Sequence, residues 1–196
     1  MLRLSRLAPA IPLSLLLIGL VGCSAAPQLK DGSSGENMVG KTAYTQHVLR
    51  PDRVNGRLYT LNYQQSDAIM PLCTKVKVSE INRKVVVFTE LDSGREFQYL
   101  YHKATGVPIE TAAAETFALS CNAAEARKLS SKDQQGISKG EILVGMSKKG
   151  VLLAAGRPPA HRTPSTDGNQ WTYWKNRFNT MVVYFNDKGL VERIVD

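Results

Sequence analysis

The first 27 residues decide what the rest of this chain can become. They read MLRLSRLAPAIPLSLLLIGLVGCSAAP. Arg3 and Arg6 make a basic start, an apolar run covers Ile11 to Val21, and Gly22-Cys23-Ser24 closes it. This is the layout of a secretory signal peptide. The run is too short to span a bilayer, because eleven helical residues cover roughly 16 Å of an apolar layer ~30 Å thick. Pro12 and Ser14 weaken it further. The two arginines are not adjacent, which argues against a twin-arginine signal. Residues 1–22 are read as a leader, and the fold is expected of residues 23–196, outside the cytosol.

The last letters of the run, Leu20-Val21-Gly22-Cys23, resemble a bacterial lipobox. The resemblance implies that the Cys23 thiol takes a diacylglyceryl group, that the leader is cut just before it, and that the new N-terminus is acylated. One acyl chain holds a protein only marginally and two hold it stably, so three make a lasting anchor. Ser24, rather than Asp, follows the cysteine. In lipoproteins of this type that implies sorting to the outer membrane, on its periplasmic face.

With Cys23 lipidated, Cys73 and Cys121 remain. In an oxidising compartment they are a candidate disulfide. The bridge would close a loop of about 48 residues, worth roughly 4 kcal/mol in the chain-entropy model. The alternative is two small buried thiols. His47, His102 and His161 show no ligand spacing, which argues against a zinc site built on two cysteines.

The formal net charge is +8, and loss of Arg3 and Arg6 lowers it by two. The excess is spread along the chain, with no run of five basic residues. Nucleic acid is therefore not an expected partner. A basic surface suits anionic headgroups or acidic partners, and equally serves solubility.

Two motifs are decoys. Residues 35–42, GENMVGKT, match the G-x-x-x-x-G-K-[ST] phosphate loop. Such a loop needs a buried strand before it and a helix after it. Upstream stands the polar SAAPQLKDGSS, and downstream Pro51 stops any helix early. No nucleotide is expected. Gly136-Ile137-Ser138-Lys139-Gly140 matches the nucleophile elbow G-x-S-x-G. The polar SSKDQQ precedes it where a buried strand is required. Ser138, three residues before Glu141, reads instead as a helix-capping box.

Residues 23–40 are small, polar and charged, with scattered apolar residues, and read as a flexible tether of up to roughly 55 Å. Residues 41–109 are β-rich. Leu58–Tyr63 is a candidate strand, Lys75-Val76-Lys77-Val78 alternates, and Arg83–Leu91 is more apolar. Asp92-Ser93-Gly94 is turn chemistry. In Glu96–Tyr101 the rings of Phe97, Tyr99 and Tyr101 share one side. The expectation is an antiparallel meander or small barrel. Residues 110–137 are read as a connecting helix over 110–130 and a polar linker over 131–137. Phe117, Cys121 and Ala124 would form one helical face.

Residues 138–196 are expected to form two short helices and three strands. Ser138 and Ser147 are the expected caps, and Gly145 and Gly156 the stops. Pro158 and Pro159 prevent continuation. The strands are Gln170–Trp174, Thr180–Phe185 and Leu190–Val195, the last two joined by the turn Asn186-Asp187-Lys188-Gly189. The fold class is α+β: a C-terminal ααβββ two-layer unit after a β-rich module and a connecting helix.

Gly145, Met146, Ser147, Val151, Gly156, Pro158, Trp171, Tyr173, Val183, Phe185, Gly189 and Val191 stand in an order that resembles the SmpA/OmlA lipoprotein domain, the BamE-like fold. The resemblance covers 138–196. The family often carries Gln or an acidic residue where Gly150 stands, and a glycine there costs a helix up to ~1 kcal/mol. BamE itself lacks a preceding module such as 41–130, so a place in the barrel-assembly machine is not implied.

The resulting expectation is a non-catalytic outer-membrane lipoprotein, held to the membrane by lipid and binding an envelope protein as a scaffold. Tethering raises its local concentration near membrane partners. Trp174, with Arg157, Arg162, Lys175 and Arg177 near it in sequence, is the candidate contact patch. The alternative is a lipid- or small-molecule-binding lipoprotein with a groove lined by Tyr59, Tyr63, Phe97 and Tyr101. An enzyme would show a pocket with converging, perturbed ionisable groups. No catalytic, metal or cofactor residues are assigned.

Overall fold

A computed structural model describes residues 27–66, 68–121 and 123–196. The leader, the lipobox and Cys23 lie outside the described residues. Among the described residues the fold is mixed α and β, with one six-stranded curled sheet, one three-stranded sheet and few helices.

The meander is present. Strands β3 (Lys75–Ile81), β4 (Val85–Glu90) and β5 (Glu96–Leu100) pair antiparallel in sequence order. Alternation puts Val76 and Val78 of β3 inside and the lysines outside. Phe88 and Phe97 stack at 5.5 Å within the core. Strand β1 (Thr42–Thr45) adds antiparallel beside β3, and β2 (Arg57–Tyr59) adds parallel beside β5. The order is β2-β5-β4-β3-β1-β6, where β6 is the short strand Phe117–Ala118. The expected strand 58–63 is cut short because Asn62 turns to φ 44°.

The tether expectation fails over residues 27–40. Leu29 and Met38 are fully buried in the first core, and the Met38 N–H donates to the Leu29 carbonyl at 2.8 Å. Asp31 is buried beneath this turn. Its carboxylate accepts from the Ser33 and Ser34 N–H groups at 3.1 and 2.9 Å, and from the Leu119 N–H beside β6 at 2.9 Å. The Ser33 hydroxyl, which also donates to it, and the Leu119 and Ser34 N–H bonds hold its pKa far below the usual carboxylate range. Two apolar residues nine positions apart, in a polar setting, carry no periodic signal, yet one turn seats both.

The single helix expected over 110–130 is also broken. Helix α1 (Ile109–Thr116) ends where Phe117 turns extended, at φ −124° and ψ 142°, and enters the core. Phe117 and Ala118 then pair with β1, and a five-residue helix α2 (Ala123–Arg127) follows. Phe117, Cys121 and Ala124 therefore share no helical face. Cys121 still bridges Cys73, with 5.6 Å between α-carbons.

The polar stretch expected as a linker is helix α3 (Ser131–Lys139). Ser130, not Ser138, caps it by accepting from the Asp133 N–H at 3.1 Å. Ser138 lies inside the helix and donates to the Gln135 carbonyl. The C-terminal unit thus begins before residue 138. Helix α4 (Lys148–Ala155) is capped by Ser147 and ended by Gly156, as expected. Strands β7 (Gln170–Trp174), β8 (Thr180–Phe185) and β9 (Val191–Val195) form an antiparallel sheet in that order. Trp171 and Tyr173 are buried in this second core with Met146 and Val151.

Gly150 has a packing reason. A Cβ there would lie 2.0 Å from Oδ1 of Asp133 on α3. That buried carboxylate accepts from the Ser147 N–H at 2.7 Å and from its hydroxyl at 3.1 Å. Asp133 thus ties the N-terminal turns of both helices together, and only a glycine in α4 leaves room for it.

Candidate functional site: a chamber at the seam

The two cores belong to one continuous body. The Val48 N–H donates to the Leu153 carbonyl at 3.0 Å. The buried Asn62 amide donates to Val48 and Ala155 carbonyls, at 2.9 and 3.0 Å, while its oxygen accepts from the Arg50 N–H at 2.9 Å. Gln64 and Gln65 N–H groups donate to the Trp174 and Lys175 carbonyls at the end of β7. A file of rings crosses the same seam, from Tyr63 to Tyr59 (5.3 Å between centroids), His102 (6.5 Å), Trp174 (6.5 Å) and His161 (6.2 Å).

Beneath these contacts the seam encloses a chamber of about 160 Å³. The first module supplies His47, which follows β1, Tyr99 from β5, and Glu115 and Thr116 from α1. The second supplies Arg157 and the proline-rich segment after α4. That segment is pinned over the chamber: the Ala160 N–H donates to the Thr105 carbonyl at 3.0 Å, and the Thr163 hydroxyl accepts from the Thr172 N–H of β7 at 2.9 Å.

The ionisable groups are set by burial. His47 is 8% exposed, and desolvation of its charged form pushes its pKa down to about 4, so the imidazole is neutral at pH 7. Among the described residues its ring nitrogens take part in no hydrogen bond. Burial likewise pushes the Tyr99 phenol up. The Thr116 hydroxyl donates to the Ala112 carbonyl at 2.8 Å, so at its 3.0 Å contact with Tyr99 it is the phenol that donates. Burial raises the Glu115 carboxyl, and the Arg157 cation opposes that rise. Arg157 Nε lies 3.3 Å from Glu115 Oε1, an ion pair across the seam with both side chains about half exposed. Burial also lowers His102, helped by Lys103 and His161.

The expected contact patch is not assembled around an exposed Trp174. That residue is half-buried in the seam against His102 and His161, and its Nε1 is a buried donor with no partner among the described residues. Arg157 faces Glu115 at the chamber, and Lys175 pairs with Asp196 at 2.7 Å. Arg162 and Arg177 are exposed, Arg177 lying over the exposed Phe178 ring. The four aromatics of the expected groove do not line one cavity either. Phe97 is core, Tyr101 is on the surface, and Tyr59 and Tyr63 belong to the seam file. Among the described residues no cluster of three or more potential metal ligands occurs, and no helix is long and apolar enough to cross a membrane.

Sequence reasoning did not find His47, Asn62, Tyr99, Glu115 or Thr116 as a site. They are far apart along the chain and carry no motif. The one available signal was the proline-rich loop from Arg157 to Pro164, whose length invited a role. In comparisons with known proteins, no family model, no curated protein and no solved structure matches this chain.

Proposed function

We propose that this chain is a lipid-anchored lipoprotein on the periplasmic face of the outer membrane. Its joined modules act without catalysis as one binding or scaffolding body for an envelope protein, in assembly or maintenance of the envelope. The observation that carries the reading is the Cys73–Cys121 bridge. Structural disulfides belong to oxidising compartments. The bridge also accounts for two of three cysteines and leaves Cys23 at the end of the leader as the one to be acylated.

The helix-helix-strand-strand-strand order of the C-terminal unit is in keeping with the SmpA/OmlA resemblance. Leu29 is buried in the first core, six residues beyond Cys23, and six residues of chain span at most about 22 Å. An acylated Cys23 therefore holds the body against the bilayer rather than on a long leash. Mass spectrometry of native material tests the reading: the expected mature N-terminus is Cys23 carrying a diacylglyceryl group and an amide-linked acyl chain. An intact leader or an unmodified thiol sinks it. Crosslinking in the native envelope is expected to capture a protein partner.

A second reading, a small-molecule-binding lipoprotein, is favoured by the seam chamber, which is lined by polar groups from both modules.

A further inference from the structure

We propose that the seam chamber binds a small zwitterion, a free amino acid or close amino-carboxylate relative, held by Arg157 at its carboxylate and Glu115 at its ammonium. The inference rests on the second reading above and names its ligand class.

Three observations point the same way. First, the two charges at the chamber have bonding capacity left. Arg157 meets Glu115 through Nε alone, and its two terminal nitrogens donate to nothing among the described residues. A guanidinium suits a carboxylate bidentately through such a free edge. Glu115 Oε2 likewise accepts nothing among the described residues, which leaves an acceptor for an ammonium.

Second, the chamber is neutral as a whole. Glu115 offsets Arg157, His47 is uncharged at pH 7 and Tyr99 stays protonated. An anion alone would meet the Glu115 carboxylate, and a cation alone would meet Arg157. A ligand with both charges satisfies both walls, and opening the existing pair costs little because it is half exposed to water.

Third, size and lining suit a compact polar molecule. A volume of about 160 Å³ holds about five waters, and so a ligand on the scale of glycine, alanine or serine, with L-glutamate as the oversized member of a panel. It falls well short of the ~300 Å³ where drug-sized sites begin. Beyond the charges the wall mixes hydroxyls such as Thr60, Thr105 and Thr163 with small apolar groups such as Val107, Ala112 and Ala155, which suits a short side chain. The buried His47 imidazole, unpartnered among the described residues, offers one donor and one acceptor to whatever enters.

The test is calorimetric titration and thermal melting of the oxidised protein with glycine, L-alanine, D-alanine, L-serine and L-glutamate. Acetate and ethylammonium, each carrying one of the two charges, are the controls. At least one amino acid is expected to bind and raise the melting temperature, with both controls at least tenfold weaker. Arg157→Gln and Glu115→Gln are each expected to weaken that binding at least tenfold; both positions are about half exposed, so the variants retain the fold. Binding unchanged in both variants overturns the inference. Acetate or ethylammonium binding as tightly as the amino acid overturns the zwitterion and leaves the small-molecule reading standing. If no member of the panel binds, the inference is overturned, and the small-molecule reading then stands or falls by uncharged probes of the same size, glycerol and acetamide.

Discussion

The His47 imidazole occupies the space in which a side chain at Gly156 would begin. A Cβ at position 156 would lie 2.6 Å from His47 Nε2 and 2.7 Å from Cδ2. Gly156 also has φ 79° and ψ −173°, backbone that is essentially restricted to glycine. Its carbonyl accepts from the buried Tyr173 hydroxyl at 3.0 Å, so the loop cannot shift away without breaking that bond. The stop signal of α4 is also a point where the two modules pack against each other.

Gly156→Ala is accordingly expected to cost about 3 kcal/mol or more, combining backbone strain with overpacking. Urea denaturation reads it. Adding His47→Ala is expected to return the steric part of the loss and not the backbone part. A double variant no more stable than Gly156→Ala alone would refute the contact.

The buried His47 also sets a pH dependence. Its pKa is about 4 in the fold against about 6.5 for an unperturbed imidazole. The unfolded chain therefore binds the proton more tightly. The stabilisation is intact above pH 6.5 and is lost as pH falls from 6.5 towards 4. The slope approaches about 1.4 kcal/mol per pH unit, for a total of about 3 kcal/mol. Stability measured between pH 7.5 and pH 4.5 should fall, and His47→Gln should flatten that fall. An identical profile in the variant would assign the acid sensitivity elsewhere.

Asn62→Ala tests whether the modules unfold together. It removes a buried amide that bonds Val48, Ala155 and the Arg50 N–H, and places alanine at φ 44°. The expected loss is about 3 kcal/mol from unpaired buried groups and backbone strain. Asn62→Gly relieves the backbone but not the amide, so it should recover only a minor share. Separate transitions for the two modules are expected in the alanine variant, seen as non-coincident fluorescence and circular dichroism curves.

Asp31→Ala is expected to release the segment 27–40 while the rest of the fold survives. Its carboxylate is the acceptor for Ser33, Ser34 and Leu119. Limited proteolysis should cut the variant within this segment and spare the parent protein. Equal resistance of the two would show that Leu29 and Met38 hold the turn without it.

Part of this was written locally in the chain. Lys75-Val76-Lys77-Val78 announces β3 because alternation needs only neighbouring residues. Ser147, Gly156 and the turn Asn186–Gly189 act within four residues of themselves, and they stand where expected. By itself the sequence determined the α+β class, the meander, helix α4 and the three C-terminal strands, but it misplaced the helix before α4, which runs Ser131–Lys139 and ends at Gly140 rather than running from Ser138 to Gly145. Tertiary structure alone decided what depends on residues far apart meeting. Phe117 leaves a good helical sequence because the first core and β1 take it. Gly150 is needed because Asp133 packs against it. Glu115 and Arg157 become a pair, and His47 a neutral buried base, only once the modules close on each other. Backbone preference is a local energy and can be read along a chain. Desolvation and pairing are energies between surfaces, and they exist only after the chain has folded.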